Sequence, residues 1–223
     1  MRREAIDEII AALNPTARPR PTISDLARLQ VIERQVSRDT IRKAPPNEGA
    51  RILLRGHPGT GKTFRLLQIG LAHAYEGLKV IFVCFNKTLG ADIRRLLKLS
   101  DRLRLTEHEI DVYDVFQFAA EYTAGDELGF DHSMTHSEWG ELVVEGMREA
   151  KNIGELEVYD TVLVDEAQDM EQWQLELVSL LCRERGTLCI AVGRGQELYG
   201  DGAAASAWLD TFGASRPMKK VSL

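Results

Sequence analysis

The octapeptide Gly56-His57-Pro58-Gly59-Thr60-Gly61-Lys62-Thr63 constrains this chain more than any other stretch. It fits the pattern G-x-x-x-x-G-K-[ST], and it stands between an apolar run, Arg51-Ile52-Leu53-Leu54-Arg55, and a segment with helical periodicity. Glycines let backbone N–H groups curl around phosphate oxygens with no Cβ in the way, and the following helix adds its positive N-terminal end. Gly56, Gly59, Thr60 and Gly61 are therefore expected to cradle a nucleotide. Lys62 is expected on the β- and γ-phosphates and Thr63 on Mg²⁺. A loop that works this way must leave the C-terminal end of a strand and enter a helix, so the sequence around it is predicted to be α/β.

That rhythm continues along the chain. "KTFRLLQIGLAHAYE" reads as a helix, "KVIFVCF" as a strand and "TLGADIRRLLKL" as a helix. "EIDVYDV" is a weaker strand and "FQFAAEYT" is helical. "TVLVDE" is a strand, "MEQWQLELVSLLCRE" a helix, "TLCIAVG" a strand and "KKVSL" a last strand. Short apolar strands alternating with helices predict a parallel sheet covered on both faces, with ligands at its C-terminal edge. Residues 124–158 are polar and mixed around one helix near 137–151, and are expected to form a small helical insertion. Residues 1–21 divide into a short amphipathic helix and a proline-broken linker, "NPTARPRP".

Arg and Lys total 28 against 34 acidic residues, for a net charge of −6, so the whole fold carries no electrostatic signature of nucleic-acid binding and only a local basic groove is left open. Cys84, Cys182 and Cys189 make no CxxC pair and read as buried free thiols. The N-terminus has no long apolar stretch, and no run approaches the roughly 20 residues of a membrane helix. A cytoplasmic location is expected.

The second chemical motif is Asp165-Glu166-Ala167-Gln168-Asp169, set against the apolar run Val162-Leu163-Val164. Carboxylates at the end of a buried strand need a cation to offset their desolvation. Asp165 is expected to hold Mg²⁺ and Glu166, its side chain pointing the other way along an extended chain, to act as general base on water. The plainer reading makes Asp165 or Asp169 a helix N-cap. Arg94, Arg95 and Lys98 fit either phosphate contacts or a solvated helix face. Trp139, Trp173 and Trp208 fit either base stacking or, for Trp173 especially, core packing. His108, His132 and His136 show no metal-ligand spacing and read as surface residues.

"GHPGTGKT" together with "DEAQD" resembles the first RecA-like domain of superfamily 1 DNA helicases of the UvrD/Rep type, whose second motif carries a Gln where Gln168 stands. Three further stretches agree in order. "VIFVCFNKTLGADIRRLL" is similar to the family's motif Ia, which implies that Phe85, Asn86 and Lys87 face single-stranded DNA. "VYDVFQFA" is similar to its Thr-Phe-His-Ser-Phe motif, with Asp114 and Val115 in place of His and Ser. "AVGRGQELYG" resembles motif III, which implies Gln196 as γ-phosphate sensor and Tyr199 toward DNA; Gly193-Arg194 stands where the family has Gly-Asp. Gln35, or Gln30, is placed as the adenine-reading glutamine. The resemblance spans about residues 25–223 and implies a RecA-like P-loop domain from residue 22 onward.

The family needs a second RecA-like domain with motifs IV to VI, whose arginines complete the ATP site. No stretch here matches them, so a second domain or a partner chain is expected to supply the arginine finger, and the chain is expected to be truncated or partial. The reading is then an ATP-binding motor domain that hydrolyses ATP with Mg²⁺, coupled to single-stranded DNA. Two alternatives stay open: a P-loop NTPase switch without nucleic acid, and a degenerate module that binds nucleotide or a partner without turnover.

Overall fold

The structure is a computed structural model that describes Ala27 and residues 49–99, 110–123, 133–193 and 218–223. The strands within these residues are β1 (Arg51–Gly56), β2 (Val80–Cys84), β3 (Ile110–Asp114), β4 (Tyr159–Asp165), β5 (Cys182–Gly193) and β6 (Met218–Ser222). The helices are α1 (Lys62–Tyr75), α2 (Lys87–Leu99), α3 (Val115–Tyr122), α4 (His136–Ile153) and α5 (Gln172–Leu180), with a 3-10 turn at Ala167–Asp169. All six strands join one sheet in the order β3-β2-β4-β5-β1-β6, every pairing parallel. This is the expected α/β, RecA-like arrangement.

A parallel sheet is covered on both faces, so its inner strands carry apolar residues without interruption. In β2 every residue is buried, while β3 at the edge alternates buried and half-buried. The period of two sorts side chains into two cores. Ile52, Leu54, Val80, Phe82, Leu163, Cys189 and Ala191 pack with α1 and α2. Leu53, Ile81, Val83, Val162, Val164, Leu188 and Ile190 pack with α3, α4 and α5 on the other face. The Val, Leu, Ile and Phe side chains among them contribute roughly 1.5–3 kcal/mol each when fully buried.

Of the segment expected as a helical insertion, the described residues 133–158 pack against the second of these cores. α4 starts with a capping box, Thr135 accepting from the Glu138 N–H while the Glu138 carboxylate accepts from the Thr135 N–H, and ends at Gly154 with φ of 81°. Its Trp139, Val143, Val144 and Met147 are buried against α5 and the sheet. Gly140 permits that contact, because a Cβ there would stand 2.1 Å from Cδ2 of Trp173. Trp139 and Trp173 meet edge to face at 6.0 Å, both buried, so core packing accounts for these two tryptophans. Trp208 lies outside the described residues, as do the N-terminal helix and linker, His108 and His132; His136 is exposed, as expected.

One boundary differs from the sequence expectation. The helix predicted to run to Glu184 ends at Leu180, and β5 begins at Cys182. Cys182 pairs with Tyr159, and after an irregularity Thr187 pairs with Thr161. Sheet pairing overrides the continuing apolar period of "LVSLL". Lys151 from α4 helps close the helix, donating to the Leu180 and Cys182 carbonyls at 2.5 and 3.0 Å.

Candidate nucleotide site at the C-terminal edge of the sheet

β1 delivers the chain at Gly56 into a loop whose residues His57 to Gly61 are exposed. Gly59 and Gly61 have φ of 76° and 86°, the left-handed region where a side chain is disfavoured. The Thr60 hydroxyl and N–H both donate to the His57 carbonyl, at 2.9 and 3.3 Å, which tightens the loop. α1 then starts with no side-chain cap and no acidic residue in its first turn, leaving its N-terminal N–H groups and dipole for an anion. Lys62 is buried beneath the loop, its ammonium donating to the Gly56 and His57 carbonyls at 3.2 Å each.

β4 ends two strands away, with β5 in between. The gap is closed by Thr63 in the first turn of α1, whose hydroxyl donates to Oδ2 of Asp165 at 2.5 Å. Oδ1 of Asp165 accepts from the Glu166 N–H at 3.0 Å. Asp165 is fully buried, and its pKa is raised from 3.8 to about 6, chiefly by desolvation. The Thr63 hydrogen bond opposes the shift, the charge of Glu166 adds to it, and Lys62 lowers it. Cys84 at the end of the adjacent β2 feels the same negative edge: burial, then Asp114 and Asp165, push its thiol up to about 12. A hydroxyl and a buried carboxylate meeting at one point, with an unmet demand for positive charge, form the hard oxygen donor set that suits Mg²⁺. These two residues would hold it.

Glu166 sits just past the strand, at φ 53° and ψ 40°, the one non-glycine with positive φ among the described residues. Strand alternation therefore does not set its direction, as the sequence argument assumed; a left-handed turn does. Its carboxylate Oε2 accepts from Nε2 of Gln168 at 2.5 Å. The same nitrogen donates to Asp169 at 3.1 Å, and Oε1 of Gln168 accepts the Gly193 N–H at 2.7 Å. Neither Asp165 nor Asp169 caps α5; Glu171 does, through a capping box with Gln174. Gln168 entered the sequence reading only as a family marker, and its two-way tie is a structural finding.

The residues expected to face DNA follow β2 along the same edge. Phe85 is half-buried, edge to face with Phe116 at 6.2 Å. Asn86 accepts the Thr88 and Leu89 N–H groups at 2.9 and 3.3 Å and so caps α2. Lys87 is exposed. Arg94 is committed within the fold, donating to the Val112 carbonyl at 3.1 Å and to Gln117 at 3.0 Å. Gln30, Gln35, Arg194, Gln196 and Tyr199 lie outside the described residues. No helix among the described residues is long and apolar enough to cross a membrane.

No curated protein matches the chain. A family model described as an AAA domain, AAA_19, matches residues 41–200, a span that holds the loop, Asp165-Glu166 and the whole stretch of strands between them. With that match on top of the loop geometry, the chain belongs to the AAA_19 family and carries a P-loop NTPase domain related to helicases.

Proposed function

We propose that this chain is the ATP-binding motor domain of a superfamily 1 helicase or translocase of the UvrD/Rep type, which hydrolyses ATP with Mg²⁺ and couples that reaction to single-stranded DNA. The observation that carries the ATPase half is the Thr63–Asp165 hydrogen bond, made across β5 beside the buried Lys62. ATP and water give ADP, inorganic phosphate and a proton. The exposed N–H groups of the loop and the α1 N-terminus receive the phosphates, and the Lys62 ammonium exchanges its two carbonyl partners for phosphate oxygens. Thr63 and Asp165 would hold Mg²⁺, which would supply charge neutralisation when bound. Glu166, next to it, takes the proton from the attacking water.

The DNA half rests on the order of the motifs and on where β2 ends, beside β4 at the same sheet edge. Phe85 and Lys87 stand there for a single strand, and Asn86 shapes the turn that presents them; Tyr199 toward DNA belongs to the same reading. Gln35 on adenine and Gln196 on the γ-phosphate belong to the same reading, as does an arginine finger from a second RecA-like domain or a partner chain. Such an arginine is worth about 10³–10⁵ in rate, so turnover is expected to be fast only where it is supplied.

The test is the ATPase rate with and without single-stranded DNA, in the wild type and in Lys62→Ala. Stimulation by DNA that disappears in the variant supports the motor. A DNA-independent rate turns the reading to a switch, and nucleotide binding without turnover turns it to a binding module.

A further inference from the structure

Gln168 makes three hydrogen bonds with one planar amide, and together they fix its orientation. The Gly193 N–H can only donate, so Oε1 faces β5. Nε2 then faces two carboxylates, Glu166 and Asp169, which can only accept when ionised. The group is buried, so each of these bonds replaces water that is not there. No other side chain of this length presents two N–H donors and an acceptor without adding charge. A Glu in its place keeps the acceptor and loses both donors; an Ala loses everything.

We infer that Gln168 is a positioning residue for hydrolysis: it orients the Glu166 carboxylate and ties it to the end of β5. The turn at Glu166 needs such a brace, because Glu166 holds a left-handed backbone without being glycine, a strained conformation that persists only where its surroundings impose it. Among the described residues, the amide of Gln168 is what joins the Glu166 carboxylate to the strand lying between β4 and β1. The end of β5 leads directly into Arg194-Gly195-Gln196. Gln168 thereby sets where the stretch after β5 begins relative to the general base. This inference rests on the ATPase reading for its consequence in turnover, though not for the geometry itself.

Two variants separate the two ties. Spectra of protein labelled with ¹³C-carboxyl glutamate identify the Glu166 resonance by its disappearance in Glu166→Gln. That resonance is expected to move in both Gln168→Ala and Gln168→Glu. Exchange of the Gly193 amide is expected to quicken about tenfold or more in Gln168→Ala and to stay near the wild-type rate in Gln168→Glu, which still accepts the bond. In the ATPase assay both variants are expected to lose roughly 10–100-fold in kcat with KM for ATP within about threefold, and Gln168→Ala is expected to cost nothing further in a Glu166→Gln background. A Glu166 resonance that stays put, or turnover restored to wild type by Gln168→Glu, overturns the inference. A wild type without any ATPase activity overturns the hydrolysis reading instead, while the two spectral measurements still decide whether Gln168 holds Glu166 and Gly193.

Discussion

Two strand ends build this site, and they solve the same problem in opposite ways. β1 and β4 both run into a turn that needs a left-handed backbone. After β1 the turn belongs to glycines, Gly59 and Gly61, exposed and with no side chain to restrain. After β4 it belongs to Glu166, half-buried, its carboxylate held by Gln168. The first turn is proposed to bind with backbone, and at its left-handed positions it needs no side chain. The second must present a side chain, so it accepts backbone strain and braces it from a neighbour. On the proposed reading, recognition of phosphate and activation of water set opposite requirements on the same conformation.

The contrast can be broken most severely at Lys62. Lys62→Ala removes the charge beneath the loop and is expected to lower turnover by at least the roughly 10²–10³-fold that one lost electrostatic donor costs, measured as ATPase rate at saturating ATP.

At the other strand end, Asp165→Asn is expected to abolish Mg²⁺-dependent hydrolysis while raising the melting temperature at pH 7. A buried carboxyl held near 6 instead of 3.8 costs the fold about 3 kcal/mol once ionised. The folded protein binds the extra proton between those two values, so this group's penalty is full above about pH 6, shrinks as the pH falls, and is gone below about 3.8. Melting curves of wild type and variant should therefore converge toward pH 4. Over the same range a proton competes with Mg²⁺ for Asp165, so Mg²⁺-dependent nucleotide affinity should weaken as the pH drops through 6.

A reciprocal exchange sharpens the comparison itself. Gly61→Ala places a Cβ at φ 86° and is expected to cost about 1–2 kcal/mol of stability together with nucleotide affinity. Glu166→Gly relieves the left-handed strain, so it is expected to leave thermal stability equal or slightly higher while hydrolysis disappears and nucleotide still binds. Denaturation curves and a fluorescent-nucleotide titration on the pair read all four effects. Away from the site, Gly140→Ala drives a methyl into Trp173 and is expected to destabilise by about 1–3 kcal/mol, with little change in nucleotide affinity.

The sequence spoke clearly wherever a residue's job depends on its immediate neighbours. β2 is apolar throughout, and β4 is apolar across Val162–Val164, because both faces are covered, and the P-loop carries its conformation in its glycines. It was silent where a distant partner decides. The start of β5 at Cys182 comes from pairing with Tyr159, against the local helical period. Arg94 looked equally fit for phosphate or solvent, and what claims it is the Val112 carbonyl and Gln117, eighteen and twenty-three residues further on. Nothing in "DEAQD" announces a left-handed glutamate, since that backbone is imposed by the Gln168 brace and the β5 terminus. Gly140 likewise reads as a weak point in a helix until Trp173 is placed against it.

Strand β6 closes the row beside β1, and because the two run parallel its end arrives at the nucleotide edge. The Leu223 N–H donates to the Arg55 carbonyl at 2.9 Å, and its own carbonyl lies 3.2 Å from where a Cβ on Gly56 would stand. Leu223 is exposed, whereas Cys84, Cys182 and Cys189 are all buried. A cysteine introduced at Leu223 would offer maleimide dyes one accessible thiol among the described residues, a few ångströms from the first glycine of the loop. The molecule thus comes with an attachment point for an optical reporter of its own nucleotide cycle, and no native thiol would have to be removed to use it.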